Sequence, residues 1–173
     1  MNSYSSNLRI EDNGSVVDTK NGYFGGNVNN AAAEYGYTQG GNGWYYRTWT
    51  AGVGNANMTW NSDGSYHWRG SHNYDAIWMY DGTLYMHPDT DQTMLEWVAA
   101  ESGSIRVKGN VRKYDTAGGD GVVVSIWKNS TLIWPQAGWT TIAYNDNIGL
   151  DHDFTVEVAT GDVISFRVDE GAQ

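Results

Sequence analysis

The residues best equipped for recognition chemistry lie between Tyr35 and Tyr85, where thirteen Trp and Tyr side chains are interleaved with Gly, Asn, Asp and Ser. The densest part begins at Gln39-Gly40-Gly41-Asn42-Gly43-Trp44-Tyr45-Tyr46. A flat ring with an N–H or O–H at its rim gives a large apolar contact at small entropic cost, which suits the C–H face of a sugar. A domain of this size does not readily bury so many rings among polar neighbours, so some are expected at the surface. Tyr46, Trp49, Trp68 and Tyr80 are the candidate platforms, with Arg47 and Arg69 beside them as bidentate partners for sugar carboxylates. Trp139 and Tyr144, in the polar stretch from Pro135 to Asp151, complete the candidate set. For Trp44, Tyr45 and Trp60, which sit in strand-like runs, packing into the core is the competing reading. Alternation along Trp44-Tyr45-Tyr46 turns one or two of its three rings to the core.

Catalytic patterns are sparse. His67, His72, His87 and His152 lack zinc-protease spacing, and there is neither a Gly-x-Ser-x-Gly elbow nor a cysteine nucleophile. A glycosidase needs two opposed carboxylates. Of Glu34, Glu96, Glu101 and Glu157, the residues Glu96 and Glu157 read as outward strand positions. Tyr66-His67-Trp68-Arg69 holds the residue types of a polysaccharide lyase and keeps an enzymatic alternative open. Oxygen-rich groups invite a calcium ion: Asp146, Asp151 and Asp153 with Asn145 and Asn147; Asp115 with Asp120; and Asp89 with Asp91. Asx turns account for most of these positions without a metal, and none matches an EF-hand. Metal ligands are therefore left unassigned.

The elements that must position these groups are strands. With 22 Gly, two Pro and no cysteine, the 173 residues show no long helical periodicity. One short helix is expected at Val28 to Glu34. Strands are expected at Leu8–Ile10, Ser15–Val17, Trp44–Thr48, Met58–Trp60, Ala76–Met79, Thr83–Met86 and Leu95–Ala99. Ile105, Val107, Gly109 and Val111 alternate with Arg106, Lys108, Asn110 and Arg112, giving one apolar and one basic face, the latter extended by Lys113. Val122–Trp127 is apolar on both faces and reads as a central strand, turning at Asn129-Ser130 into Thr131–Trp134. Phe154–Val158 and Ile164–Val168 are expected to form a hairpin about Ala159–Asp162, after a long loop from Pro135 to Asp151. The pattern predicts one all-β domain over residues 1–173, a jelly-roll β-sandwich of two antiparallel sheets.

Twenty acidic against ten basic residues, a formal charge of −10, argue against a nucleic-acid partner. No apolar stretch approaches a membrane span. The chain is read as a module of a longer exported protein and as a monomer.

The Gln39–Tyr46 string, followed in order by Met58-Thr59-Trp60, Met86-His87-Pro88, Glu96-Trp97, Gly103–Gly109, Gly119–Val122 and Thr160–Phe166, resembles β-jelly-roll carbohydrate-binding modules attached to bacterial polysaccharide-degrading enzymes. The resemblance covers about residues 35–169. It implies a noncatalytic, secreted module that binds a complex, anionic polysaccharide such as xanthan and targets a catalytic domain in the same polypeptide, with a structural calcium ion as its cofactor. Those modules continue past their last strand into an Asp/Thr-rich segment that does not follow Asp169 here. A small lyase or hydrolase and a structural spacer are the alternatives.

Overall fold

The computed structural model describes residues 4–12 as backbone, and residues 28–63, 67–117 and 119–171. The expected strand Ser15–Val17, and Tyr66, lie outside them. Two antiparallel sheets form in chain order. Strands β1 (Tyr4–Asp12) and β2 (Val28–Asn30) belong to the first sheet; β3 (Trp44–Thr50) and β4 (Gly54–Asn57) to the second. Four strands return to the first: β5 (Thr59–Asn61), β6 (His67–Arg69), β7 (Ala76–Tyr80) and β8 (Thr83–His87). From there the chain crosses repeatedly. Strand β9 (Gln92–Val98) is in the second sheet and β10 (Gly103–Lys113) in the first. Strands β11 (Gly121–Lys128), β12 (Thr131–Trp134) and β13 (Thr140–Ala143) are in the second, β14 (Leu150–Val158) in the first and β15 (Val163–Asp169) in the second. The first sheet runs β14-β10-β1-β8-β7-β6-β5, with β2 on β1; the second runs β12-β11-β15-β9-β3-β4, with β13 on β11. This back-and-forth winding makes the expected jelly-roll sandwich.

Alternation fixes what each strand buries. Trp44, Tyr46, Leu95, Trp97, Ile164 and Phe166 from the second sheet meet Trp68, Ile77, Leu84, Met86 and Val107 from the first in one core. Tyr46 stacks on Trp68 across the sandwich, with centroids 4.7 Å apart and planes 11° from parallel. The segment ahead of β3 is built around this pair. Gln39 clamps two strands, its Nε2 donating to the carbonyls of Tyr46 and Met58 while its Oε1 accepts the Tyr46 N–H. The Tyr46 hydroxyl accepts the Gly36 N–H, and Trp68 Nε1 donates to the Gly36 carbonyl. Gly40 and Gly43 turn the chain with φ of 80° and 82°, and a Cβ on Gly43 would sit 3.1 Å from the Val98 carbonyl oxygen. The glycine-rich string is thus a structural clasp.

Four local expectations are corrected. Val28–Glu34 is a short strand and a single turn, not a helix: Asn30 caps the turn, its side-chain oxygen accepting the Ala32 and Ala33 N–H groups and its carbonyl the Glu34 N–H, but the Gly36 N–H goes to the Tyr46 hydroxyl and the turn does not propagate. The Asn129-Ser130 hairpin forms, but β14 and β15 do not pair. They lie in opposite sheets, on β10 and on β9 and β11 respectively. The 159–162 turn is tied to Ala99 by two backbone hydrogen bonds, which send the chain across the sandwich. The stretch from Pro135 to Asp151 contains β13, added as a strand on β11. Lys113 turns inward and is 1% exposed, so it does not extend the basic face, and burial pulls its ammonium below the usual lysine range.

His152 is the unusual core residue. It is 3% exposed, sits among the rings of Trp134, Phe154 and Phe166, and has no hydrogen-bond partner at either ring nitrogen. Burial pulls its pKa down to about 4, against the opposing pull of Asp151 and Asp153. Its folded value lies below its unfolded one, so the unfolded chain binds the extra proton between about pH 6.5 and pH 4. Stability from this site is complete above pH 6.5 and falls by about 3 kcal/mol as the pH drops to 4. Urea unfolding at pH 7 and pH 4.5 measures this, and His152→Leu is expected to flatten that part of the profile.

Candidate functional site

The outer face of the second sheet gathers residues that the core leaves out. On β3, Tyr45, Arg47 and Trp49 alternate with the inward Trp44, Tyr46 and Thr48. Register aligns them with their neighbours in rows. Trp127, Ser165, Glu96 and Tyr45 form one, and Ser125, Arg167, Met94, Arg47 and Asn57 the next. Gln92, Trp49 and Asn55 lie in a third. At the usual strand spacing, Tyr45 and Trp127 stand roughly 14 Å apart, three strands across.

Glu96 is the centre of this face. Only 2% of it is exposed although it points away from the core, so its outward reading is right in direction and wrong in exposure. Long neighbours lie over it. Arg47 Nη1 donates to Glu96 Oε2 at 2.8 Å, and Arg47 Nε donates to Asn57 Oδ1 at 3.0 Å. The same guanidinium lies 4.8 Å from the Tyr45 ring centroid. On the other side Arg167 lies 4.9 Å from the Trp127 centroid, and its Nε donates to Ser165 Oγ at 3.2 Å. Burial lowers the Arg167 pKa while the Glu96 charge opposes that shift, and a guanidinium stays protonated regardless. Trp127 Nε1 donates to Ser125 Oγ at 2.8 Å, fixing the indole. Two guanidinium groups against one carboxylate leave one net positive charge, framed by Tyr45 and Trp127. The geometry offers fixed rings, forked donors and amide side chains at one surface.

The sequence candidates separate. Arg47 and Trp49 lie on this face. Trp139 and Tyr144 flank β13 at the far edge of the same sheet, Trp139 partly buried and Tyr144 exposed. Tyr80 is exposed at the tip of the β7–β8 hairpin in the other sheet. Arg69 is also in the first sheet, where its Nη1 donates to the Asn73 carbonyl and braces the following loop. Tyr46 and Trp68 are corrected: both are buried, stacked on each other, and present no ring to solvent. Tyr45, for which core packing was the competing reading, faces out with Trp127, Glu96 and Arg167. Ser165 and Asp169, two residues to either side of Arg167 on β15, are the signal that could have placed it on an outward face, whereas Trp127 ends a run read as apolar on both faces.

Other surfaces are less equipped. Trp78 stacks on Tyr85 at 5.3 Å and Tyr114 meets Tyr85 edge-on at 4.8 Å, but Tyr85 is buried and Trp78 half-buried, which leaves Tyr114 as the exposed ring of the three. Glu34, Asn42 and Glu101 line a cavity of about 350 Å³ beside Trp97, with Glu34 accepting the Trp44 indole N–H at 2.7 Å. Of the carboxylates considered for calcium, Asp153 takes a two-point contact from Arg106, which lowers its pKa. Asp151 accepts from Asn110, and Asp146 accepts the N–H groups of Ile148 and Gly149. Asp115 accepts the Ala117 N–H. The Asp153 contacts also neutralise much of the basic face of β10, since Lys108 lies 4.0 Å from the same carboxylate.

Core and face separate in a stability measurement. Trp68→Ala removes a buried, stacked indole and is expected to cost about 3–5 kcal/mol, whereas Trp49→Ala on the outer face costs about 1 kcal/mol or less. Guanidinium unfolding of both variants checks the contrast.

Comparison with models of known protein families, with curated proteins and with solved structures finds no match.

Proposed function

We propose that the chain is a noncatalytic module that binds an anionic polysaccharide on the outer face of its second sheet. The observation that carries this reading is the pair Arg47 and Arg167 held beside Tyr45 and Trp127 around one buried carboxylate. A uronic acid or ketal-bearing sugar brings both surfaces that such a face complements. Its C–H face stacks on an aromatic ring, and its carboxylate takes the free N–H groups of a guanidinium. Glu96 and the serines hold the donors in place, so little side-chain entropy is lost on binding. Trp49, Asn55, Asn57 and Gln92 continue the surface and hydrogen-bond hydroxyls along the glycan. The local positive charge attracts an acidic chain despite a formal charge of −10, and salt screens that attraction. Xanthan-like material fits this chemistry, and attachment to a degrading enzyme gives weak binding its use through avidity.

A hydrolase reading is favoured by one observation, the cavity that carries both Glu34 and Glu101. It predicts release of reducing ends.

Affinity electrophoresis in xanthan, alginate and gellan against β-glucan and mannan tests the proposal. Retardation is expected in an acidic gel, weakening as salt rises, with no product released. Arg47→Ala and Trp127→Ala are each expected to weaken it about ten-fold, a loss of about 1.4 kcal/mol, while remaining folded. Equal retardation in neutral gels, or unchanged retardation of both variants, contradicts the assignment to this face. Product release that Glu34→Gln abolishes replaces it with hydrolysis.

A further inference from the structure

We propose that His72, Asp75 and Asp91 form a site for a divalent transition metal of the zinc class, which staples the loop between β6 and β7 to the crossing from β8 to β9. The three offer one ligand atom each, all within 4.8 Å of one another. His72 Nδ1 lies 3.2 Å from Asp75 Oδ2 and 3.2 Å from Asp91 Oδ2. A tetrahedral ion with bonds near 2.0–2.1 Å holds its ligand atoms roughly 3.3 Å apart, which both distances from His72 match, while the two carboxylate oxygens lie within 4.8 Å of each other.

Charge and burial supply the second argument. The Asp75 and Asp91 side chains are 0% and 1% exposed, and two carboxylates this close repel unless a cation lies between them. The His72 imidazole is 40% exposed and carries at most one positive charge. Asp75 has its protein donors: Oδ1 accepts the Asp89 N–H, and Oδ2 accepts the His72 N–H. Asp91 is different. Its Oδ2, turned into the cluster, accepts from Ser71 Oγ at 3.2 Å, and its Oδ1 is buried with no hydrogen-bond partner. A carboxylate enclosed with one oxygen undonated is costly to keep charged, and a metal ion bound to the Asp91 carboxylate offsets that cost.

Ligand type selects the metal. An imidazole nitrogen with two carboxylates suits zinc, manganese or nickel, whereas calcium takes six to eight oxygens. The exposed side at His72 leaves room for water as a further ligand. Asp89 lies alongside, its Oδ2 accepting the Tyr74 N–H, so the loop is already shaped around the cluster. The sequence showed Asp89 and Asp91 as an acidic pair; folding supplies His72 and Asp75 from the neighbouring loop. Asp91 also precedes Gln92, which lies opposite Trp49, so the staple would fix one end of the outer face.

The test uses the full chain after chelator treatment, with Zn²⁺, Mn²⁺ or Ca²⁺ added separately. One equivalent of Zn²⁺ is expected to bind by calorimetry and to raise Tm by about 5–10 °C at a hundred-fold excess over Kd, with Ca²⁺ giving much less. His72→Ala changes a partly exposed side chain, so the variant is expected to fold and to lose both signals; Asp91→Asn is expected to lose them too. No Tm shift with either Zn²⁺ or Mn²⁺, a larger shift with Ca²⁺, or a Zn²⁺ shift that survives His72→Ala would each overturn the proposal. Glycan binding does not enter the readout.

Discussion

A carboxylate buried on the wrong side of a sheet sets the terms for the candidate surface. Glu96 points away from the core, yet its neighbours shut it off from water, and a charge in that position demands cationic partners. Arg47 meets the demand directly, and Arg167, on the neighbouring strand and one row along, feels the Glu96 charge. Arg47, bonded to Glu96, lies 4.8 Å from the Tyr45 ring centroid, and Arg167, bonded to Ser165, lies 4.9 Å from that of Trp127. The buried charge therefore anchors Arg47 directly and acts on Arg167 at longer range, and two rings lie beside these arginines. Asn57, Ser165 and Ser125 add the hydrogen bonds that complete the arrangement.

The core makes this possible by absorbing the competing rings. Strand β3 divides its aromatics by alternation. Trp44 and Tyr46 fill the interior, and Tyr45 and Trp49 are left outside. Tyr46 needs a partner across the sandwich and finds it in Trp68. Gln39, Gly36 and the positive-φ glycines then lock that layer through backbone hydrogen bonds. Aromatic density in this chain serves two ends separated by a period of two residues.

Much of the architecture was legible because it rests on that same period. The strands of the C-terminal half, the Asn129-Ser130 turn and the two-sheet sandwich follow from alternation and turn chemistry. What was not legible depends on contacts between distant segments. Nothing local distinguishes a hairpin from a crossing at Ala159–Asp162; the bonds to Ala99 decide it. For the candidate site, Arg47 and Trp49 were readable as outward residues with recognition chemistry. Tyr46 and Trp68 carry the same residue types, and only their mutual stacking reveals that they are core. Arg167 and Trp127 come from strands far along the chain, so their place beside Glu96 depends on sheet order. The same holds for His72 and Asp75, which meet Asp91 only where the chain changes sheets.

The most direct measurement of the central claim is a residue-resolved one. Side-chain NMR spectra of the ¹⁵N-labelled protein would be recorded while an acidic oligosaccharide is titrated in, following tryptophan Nε1–H and arginine Nε–H signals. Progressive shifts at Trp49, Trp127, Arg47 and Arg167, with Trp44 and Trp68 unmoved, are the result this account predicts. Shifts confined to Trp60 and to Trp97 beside the Glu34 cavity, or a spectrum that no acidic glycan perturbs, would contradict it.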